Sequence, residues 1–406
     1  MQSNPVVNGT AVAIRQFQHE LKDELHRILE YWIRNTPDNQ FGGFTGRIDQ
    51  ENKIVPRSPK GVVLNSRILW TFSAAFNVSK QYEYMAIAER AFDYLQRHFF
   101  DRQQGGVYWS VDYKGMPLDT KKQLYAQAFA IYGLSEYAKA ADSDSACNAA
   151  IALYELITRH GYDPTNGGYV EALSADWKAT DDLRLSEKDA NEKKSMNTHL
   201  HLLEAFSNLY TIWPDATLKK RIIELIRIFL DRMTDVNSHH LLLFFDDQWN
   251  SKSSLVSFGH DIEGAWLVQQ AAETIKDEPL TEEIKVWSVT LANAAAMGVD
   301  EDGGLWYEKE GELWIKEKHW WPQSEAMVGF FHAWELTGQD RFLQYSLQCW
   351  EFVKNFIHDK KYGEWFWGIR DDHAVMEGED KVGIWKCPYH NGRACMEIMK
   401  RVDHLL

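Results

Sequence analysis

The 406-residue chain carries a formal net charge of −15 and is 45% apolar. It has the material for a large core but lacks the basic footprint that nucleic acid or an anionic membrane surface requires. No apolar run reaches the roughly 20 residues of a membrane-spanning helix, and the N-terminal stretch MQSNPVVNGTAVAIRQFQHELKDEL lacks the basic and apolar regions of a signal peptide.

Cys147, Cys349, Cys387 and Cys395 show no metal-like spacing and read as free thiols in a reducing cytoplasm. Most of the 17 tryptophans read as core. Some can serve as flat platforms for a neutral ring such as a sugar.

In chain order, an amphipathic helix (IRQFQHELKDELHRILEYWI) leads to a glycine turn (NQFGGFTGRID) and a second, more apolar helix starting near Gly61. The pattern then recurs. YEYMAIAERAFDYLQRHF, RQQGGVYWSVD and a helix near Gln123 form the second unit. ACNAAIALYELITRH, PTNGGYVEAL and a helix near Ser195 form the third. In the fourth, ATLKKRIIELIRIFLDRM is followed by HLLLFFDDQWN, which is β-like but has no glycine pair, and a helix near Gly259. TEEIKVWSVTLANAAAMG, DEDGGLWYEKEG and a helix near Pro322 follow, and then DRFLQYSLQCWEFVKNFI, KKYGEWFWGIRDD and a helix near Pro388. Each turn is expected to open a β-hairpin, with Gly311 at the tip of GLWYEKEGELWIKE.

Six helix–hairpin–helix units with a period of about 60 residues imply twelve helices. The charged, one-faced set should form an outer ring and the Ala-, Leu- and Phe-rich set an inner one. The fold expected is all-α: an (α/α)6 barrel covering residues 1–406 as one domain, with β-hairpins over one end. An open superhelix is the competing arrangement, and six units without a polar cap favour closure.

Parallel inner helices bring their N-terminal ends together beneath the hairpins. The polar and aromatic residues placed there are Arg67, Tyr125, Gln127, Asn197, His199, His201, His260, Asp261, Glu263, Trp321, Glu325, Trp385, Tyr389, His390 and Arg393. Each alone reads as a cap, an ion pair or core; their convergence from separate helices points to a shared site. His199 and His201 lie about 200° apart on a helix and cannot share an ion, His239 and His240 would point to opposite faces, and a site on His260 and Glu263 would need matching ligands from another helix; no metal is expected, and no cofactor. Glu263 is read as the partner that orients His260. Nucleotide-binding and serine-nucleophile motifs are absent from the sequence.

Several histidines around a Trp-rich pocket suit proton transfer near neutral pH. A glycosidase using Glu263 and Glu325 is the rival, and a non-catalytic sugar-binding barrel is a third reading. NTHLHLLEAF, GHDIEGAWL, WWPQSEAM and WKCPYHNGRACMEI resemble the cellobiose 2-epimerases, within the N-acylglucosamine 2-epimerase superfamily. The resemblance spans nearly the whole chain, and GHDIE discriminates best.

It implies reversible C2 epimerisation of the reducing-end glucose of a β-1,4-linked disaccharide such as cellobiose, lactose or mannobiose. His260 and His390 would be the acid/base pair, His201 the ring-opening or supporting histidine, and Arg67 the oxyanion stabiliser. Tyr125, Asn197 and Glu263 would hold hydroxyls or orient His260. Trp306, Trp321 and Trp385 would stack the sugar rings, and Glu308 would bind the second sugar. A monosaccharide 2-epimerase or a mannose–fructose isomerase of the same superfamily is the nearest alternative. The partner expected is the neutral disaccharide, and the chain is expected to act as a monomer rather than a dimer.

Overall fold

The computed structural model describes residues 8–406, so the first seven residues of the stretch scanned for a signal peptide lie outside the described residues. Among the described residues, twelve α-helices alternate between two rings. The outer ring holds α1 (Asn8–Asn35), α3 (Tyr82–Tyr94), α5 (Asp144–His160), α7 (Ala216–Asp231), α9 (Glu278–Ala295) and α11 (Asp340–Phe352). The inner ring holds α2 (Val62–Ser79), α4 (Leu124–Ala141), α6 (Met196–Tyr210), α8 (Phe258–Thr274), α10 (Trp320–Thr337) and α12 (Tyr389–Leu405). None of these helices is long and apolar enough to cross a membrane.

The two rings follow from two sequence patterns. Helix α7 buries Leu218, Ile222, Leu225, Ile226 and Phe229, which share one face at helical spacing. Its N-terminus is fixed by Asp215, whose carboxylate accepts from the amides of Thr217 and Leu218. Helix α2 instead buries every residue from Val62 to Ala75, because α12 and α4 flank it and α3 packs behind. Close approach requires small residues: a Cβ on Gly133 of α4 would stand 2.6 Å from the Ser66 carbonyl oxygen of α2.

Strand pairing closes the ring. The two or three residues preceding five of the six inner helices pair antiparallel with the next unit: Lys60–Gly61 with Ser110–Val111, Lys122–Gln123 with Ala172–Leu173, and Lys194–Ser195 with Phe244–Phe245. Leu255–Ser257 pairs with Glu308–Glu310, and Lys318–His319 with Gly368–Ile369. The sixth unit returns to the first through Ile48, whose N–H donates to Val382 O at 2.9 Å, and α12 packs on both α1 and α2. The molecule is therefore a closed (α/α)6 barrel and not an open superhelix. The strands mostly join neighbouring units. Pairing within one unit builds hairpins at Ser110–Asp119 and at Glu308–Ile315, the latter with Gly311 at its tip (φ 58°).

A buried ion pair repeats with the fold. Asp101 turns its own loop by accepting from the amides of Gln103 and Gln104, and takes Lys122 Nζ at 2.7 Å. Lys60–Asp38, Lys194–Asp163, Lys318–Asp300 and Lys381–Asp359 are the counterparts. The glycines after these aspartates adopt the left-handed region, as at Gly105 and Gly106 (φ 74° and 76°). The fourth unit has neither the glycines nor the lysine. There His239 takes φ 63°, and His240 Nδ1 meets Asp261 Oδ2 at 2.6 Å instead. Because Lys122 is wholly buried, Lys122→Met strands the Asp101 carboxylate and should cost about 3 kcal/mol. Urea unfolding measures this; a loss below about 1 kcal/mol would show the pair to be dispensable.

Candidate active site

Two positions of the inner helices divide the polar residues into structural and axial sets. The fourth residue of four of them grips the backbone of its own unit's loop. Gln127 Oε1 accepts from Val107 N at 2.8 Å, His199 Nε2 from Tyr169 N at 2.9 Å, Asp261 Oδ1 from Leu241 N at 2.8 Å and Gln323 Oε1 from Leu305 N at 2.8 Å. Gln127, His199 and Asp261 are thus ties between helix and loop, not members of a pocket. This answers for the Asp in GHDIE.

The sixth residue of α2, α4, α6, α8 and α10 is Arg67, Phe129, His201, Glu263 and Glu325, and Arg393 takes the equivalent place on α12. These side chains converge on the barrel axis. Arg393 joins them: Nη2 donates to Glu263 at 2.8 Å and to Glu325 at 2.7 Å, and Nη1 bonds Glu204. Arg67 lies over the Phe129 and Tyr389 rings, 4.1 and 4.8 Å from their centroids, and donates to Tyr125 Oη at 2.8 Å.

Three histidines, His201 within this layer and His260 and His390 beside it, have Nδ1 tied differently. His390 Nδ1 donates to Glu325 Oε1 at 2.6 Å, His201 Nδ1 to Glu204 Oε2 at 2.9 Å, and His260 Nδ1 lies 2.8 Å from Ser257 Oγ. His260 and His390 stand on different helices and both pack against Trp321, with ring centroids 4.7 and 5.7 Å from it. Gly259 makes this possible, since a Cβ there would lie 2.7 Å from the Trp321 ring.

Burial favours the neutral form of all three imidazoles. It lowers His260 to about 3 with help from His201. It lowers His390 well below the ordinary value, reinforced by Arg67, Arg393 and His201. His201 is lowered by burial even though Glu204 pulls the other way. Among the acids, burial and Glu325 raise Glu263, and burial raises Glu325 against the pull of Arg393. Glu204 differs: against burial, Arg393, His201 and Tyr389 bring it down to about 2.

Glu263 does not orient His260. Its oxygen sits 2.8 Å from Arg393 Nη2 and 4.0 Å from His390 Nδ1. His260, in the first helical turn, reaches back to the Ser257 hydroxyl, while Glu263 lies nearly a turn deeper and is drawn to the guanidinium. Glu204 is the functional candidate that sequence reasoning passed over. It lies three residues after His201, on the same helical face.

Of the outlying residues, Trp385 packs against Tyr125 and Trp109 (centroids 5.9 and 5.8 Å) and forms an aromatic wall at the N-terminal mouth. Asn197 borders a small recess with Glu171, Arg184 and Asp189, and its Oδ1 is buried without a partner. Trp306 Nε1 is likewise unpartnered, and the Trp306 ring meets Trp314 edge-on. Glu308 sits on a strand of the hairpin, raised to about 7 by burial.

A cavity of about 600 Å³ opens at the opposite end of the barrel. Trp70, Tyr132 and Glu204 line its inner wall, and Glu204 also bonds His201, so this layer separates the cavity from the histidines. Glu263, Glu325 and His390 offer ligand atoms within 4.8 Å of one another, a metal-like spacing. Arg393 already bonds both carboxylates there and supplies the positive charge.

The model of the N-acylglucosamine 2-epimerase (GlcNAc 2-epimerase) family matches residues 42–394. A cellobiose 2-epimerase of Bacteroides fragilis is 47% identical over 386 residues, covering 94% of this chain and 98% of its own. One of Dictyoglomus turgidum is 37% identical, covering 96% and 100%. The solved cellobiose 2-epimerase of Bacillus thermoamylovorans superposes with a TM-score of 0.92 at 37% identity, covering 95% of this chain and 100% of that one. The chain belongs to the N-acylglucosamine 2-epimerase family and, within it, to the cellobiose 2-epimerases, which makes it a carbohydrate isomerase.

Proposed function

We propose that the chain reversibly epimerises C2 of the reducing-end glucose of a β-1,4-linked disaccharide, with His260 and His390 as the acid/base pair. The observation that carries this reading is that two imidazoles from separate helices both pack against the Trp321 ring. Inversion at carbon needs a base on one face and an acid on the other, which neighbours on one helix cannot supply.

With the sugar ring open, one imidazole takes the C2 proton. The C–H electron pair forms the C1–C2 double bond, and the carbonyl pair moves onto O1. Arg67 is the donor for that developing oxyanion, pre-set by Tyr125 and by the aromatic rings beneath it. The other imidazole takes up a solvent proton and delivers it to the opposite face of C2, and the first releases the proton it removed to solvent. Burial, which favours the neutral form of both rings at rest, also makes the protonated one a strong donor. Glu325 fixes the His390 ring through Nδ1 and leaves Nε2 for the transfer.

The hydrolase reading loses ground on the same geometry. Glu263 and Glu325 are both buried and share one guanidinium nitrogen, so they do not stand apart across a glycosidic bond. Tyr125 and Asn197 are assigned to sugar hydroxyls, Trp385, Trp321 and Trp306 to stacking, and Glu308 to the second ring.

Arg67→Lys keeps the charge but loses the planar fork held by Tyr125. It should lower kcat on cellobiose roughly 100-fold with little change in KM, as steady-state kinetics would show. An unchanged kcat would remove Arg67 from the oxyanion role. Incubation with cellobiose, N-acetylglucosamine and mannose in parallel tests the substrate class. Turnover of a monosaccharide in preference to cellobiose would move the chain to a sister activity.

A further inference from the structure

We propose that Glu204 is a positioning residue of the ring-opening step, acting through His201; this rests on the function proposed above. Glu204 is the ninth residue of α6, three after His201, and both of its oxygens are held. Oε1 accepts from Tyr389 Oη at 2.5 Å and from Arg393 Nη1, and Oε2 faces His201 Nδ1 at 2.9 Å. The three donors keep it ionised in a buried site. An ionised carboxylate only accepts, so His201 carries its proton on Nδ1 and keeps the Nε2 lone pair free. The ring cannot turn away, because Tyr125 meets it edge-on at 5.0 Å and Phe129 packs at 4.7 Å.

No other histidine of the site has this arrangement. His260 has a hydroxyl at Nδ1, and the Glu325 partner of His390 is shared with Arg393 and Trp266 and is raised rather than lowered. A fixed Nε2 backed by a carboxylate is suited to a hydroxyl proton. His201 takes the proton from the O1 hydroxyl, the C1–O1 bond becomes the carbonyl, and the C1–O5 pair leaves on O5. The imidazolium then gives the same proton to O5. Both oxygens are bonded to C1, so one imidazole carries the proton between them and the step balances without a co-reactant.

Counter-charge to Arg393 is a purely structural alternative role, and it predicts different kinetics. Glu204→Gln should lower kcat/KM on cellobiose roughly 100-fold, but should cost little further in a His201→Asn background, because the two act as one unit. The primary isotope effect with C2-deuterated cellobiose should also shrink in Glu204→Gln, as ring opening becomes limiting. Multiplying losses in the double variant, with an unchanged isotope effect, would overturn the proposal. If Glu204→Gln fails to fold, Tyr389→Phe removes one of the three donors, and the isotope effect should shrink there too; an unchanged isotope effect would overturn the proposal. A wild-type protein that does not epimerise cellobiose would refute the underlying function instead, before any variant is compared.

Discussion

His390→Asn is expected to abolish turnover, with a fall in kcat of at least about 1,000-fold, while the thermal unfolding midpoint stays close to wild type. Asparagine still offers a donor to Glu325, so the buried hydrogen bond at 2.6 Å is replaced rather than lost, but it cannot carry a proton. His260→Asn should behave alike, because inversion needs both faces. The wild-type pH profile adds a signed test. Folded imidazoles held below the ordinary value of about 6.5 stay neutral as the pH falls past it. The acid limb of kcat/KM should therefore lie below pH 6.5. A fall of less than about 10-fold in either variant would remove that histidine from the pair, and an acid limb at or above 6.5 would contradict the lowered imidazoles.

Arg393→Met should be the most destabilising single change in the barrel. Arg393 is the shared counter-ion of Glu204, Glu263 and Glu325, and removing one partner of a buried ionic cluster costs about 5 kcal/mol. The deficit should depend on pH. Without the guanidinium, the three carboxyls take up protons in the folded state at pH values where the unfolded chain leaves them ionised. The folded state then binds more protons, so stability falls as pH rises above about 4.5. Urea unfolding at pH 5 and pH 8 should show the larger loss at pH 8. Arg393→Lys keeps the charge without the fork and should fall between. A small loss that is equal at both pH values would show that the carboxylates do not depend on Arg393.

The architecture was legible because the repeat is written twice in the sequence, in the glycine pairs and in the alternation of one-faced and all-round apolar helices. The inner helices begin within two residues of Gly61, Gln123, Ser195, Gly259, Pro322 and Pro388. The buried lysines were available too: Lys60, Lys122, Lys194 and Lys318 each stand two residues before an inner helix. Their role went unread because a lysine ahead of a helix ordinarily looks like a solvated residue.

The site was legible as a set of helix mouths and less so as a set of contacts. Arg67, Tyr125, His201, His260, Trp321 and His390 do gather, although the roles given to them come from family resemblance. Spacing alone could not show that the fourth helical position points to the loops and the sixth to the axis. That distinction sends Asp261, His199 and Gln127 out of the pocket, gives Glu263 to Arg393, and reveals Glu204 behind His201. It depends on the direction of each inner helix about the barrel, which needs the closed ring.

The most direct test of the central claim is NMR of cellobiose incubated with the protein in D2O containing EDTA. Proton transfer by His260 and His390 predicts new mannose-type anomeric signals, with deuterium incorporated at C2. Epimer formed without deuterium at C2, or free glucose in its place, would contradict the account.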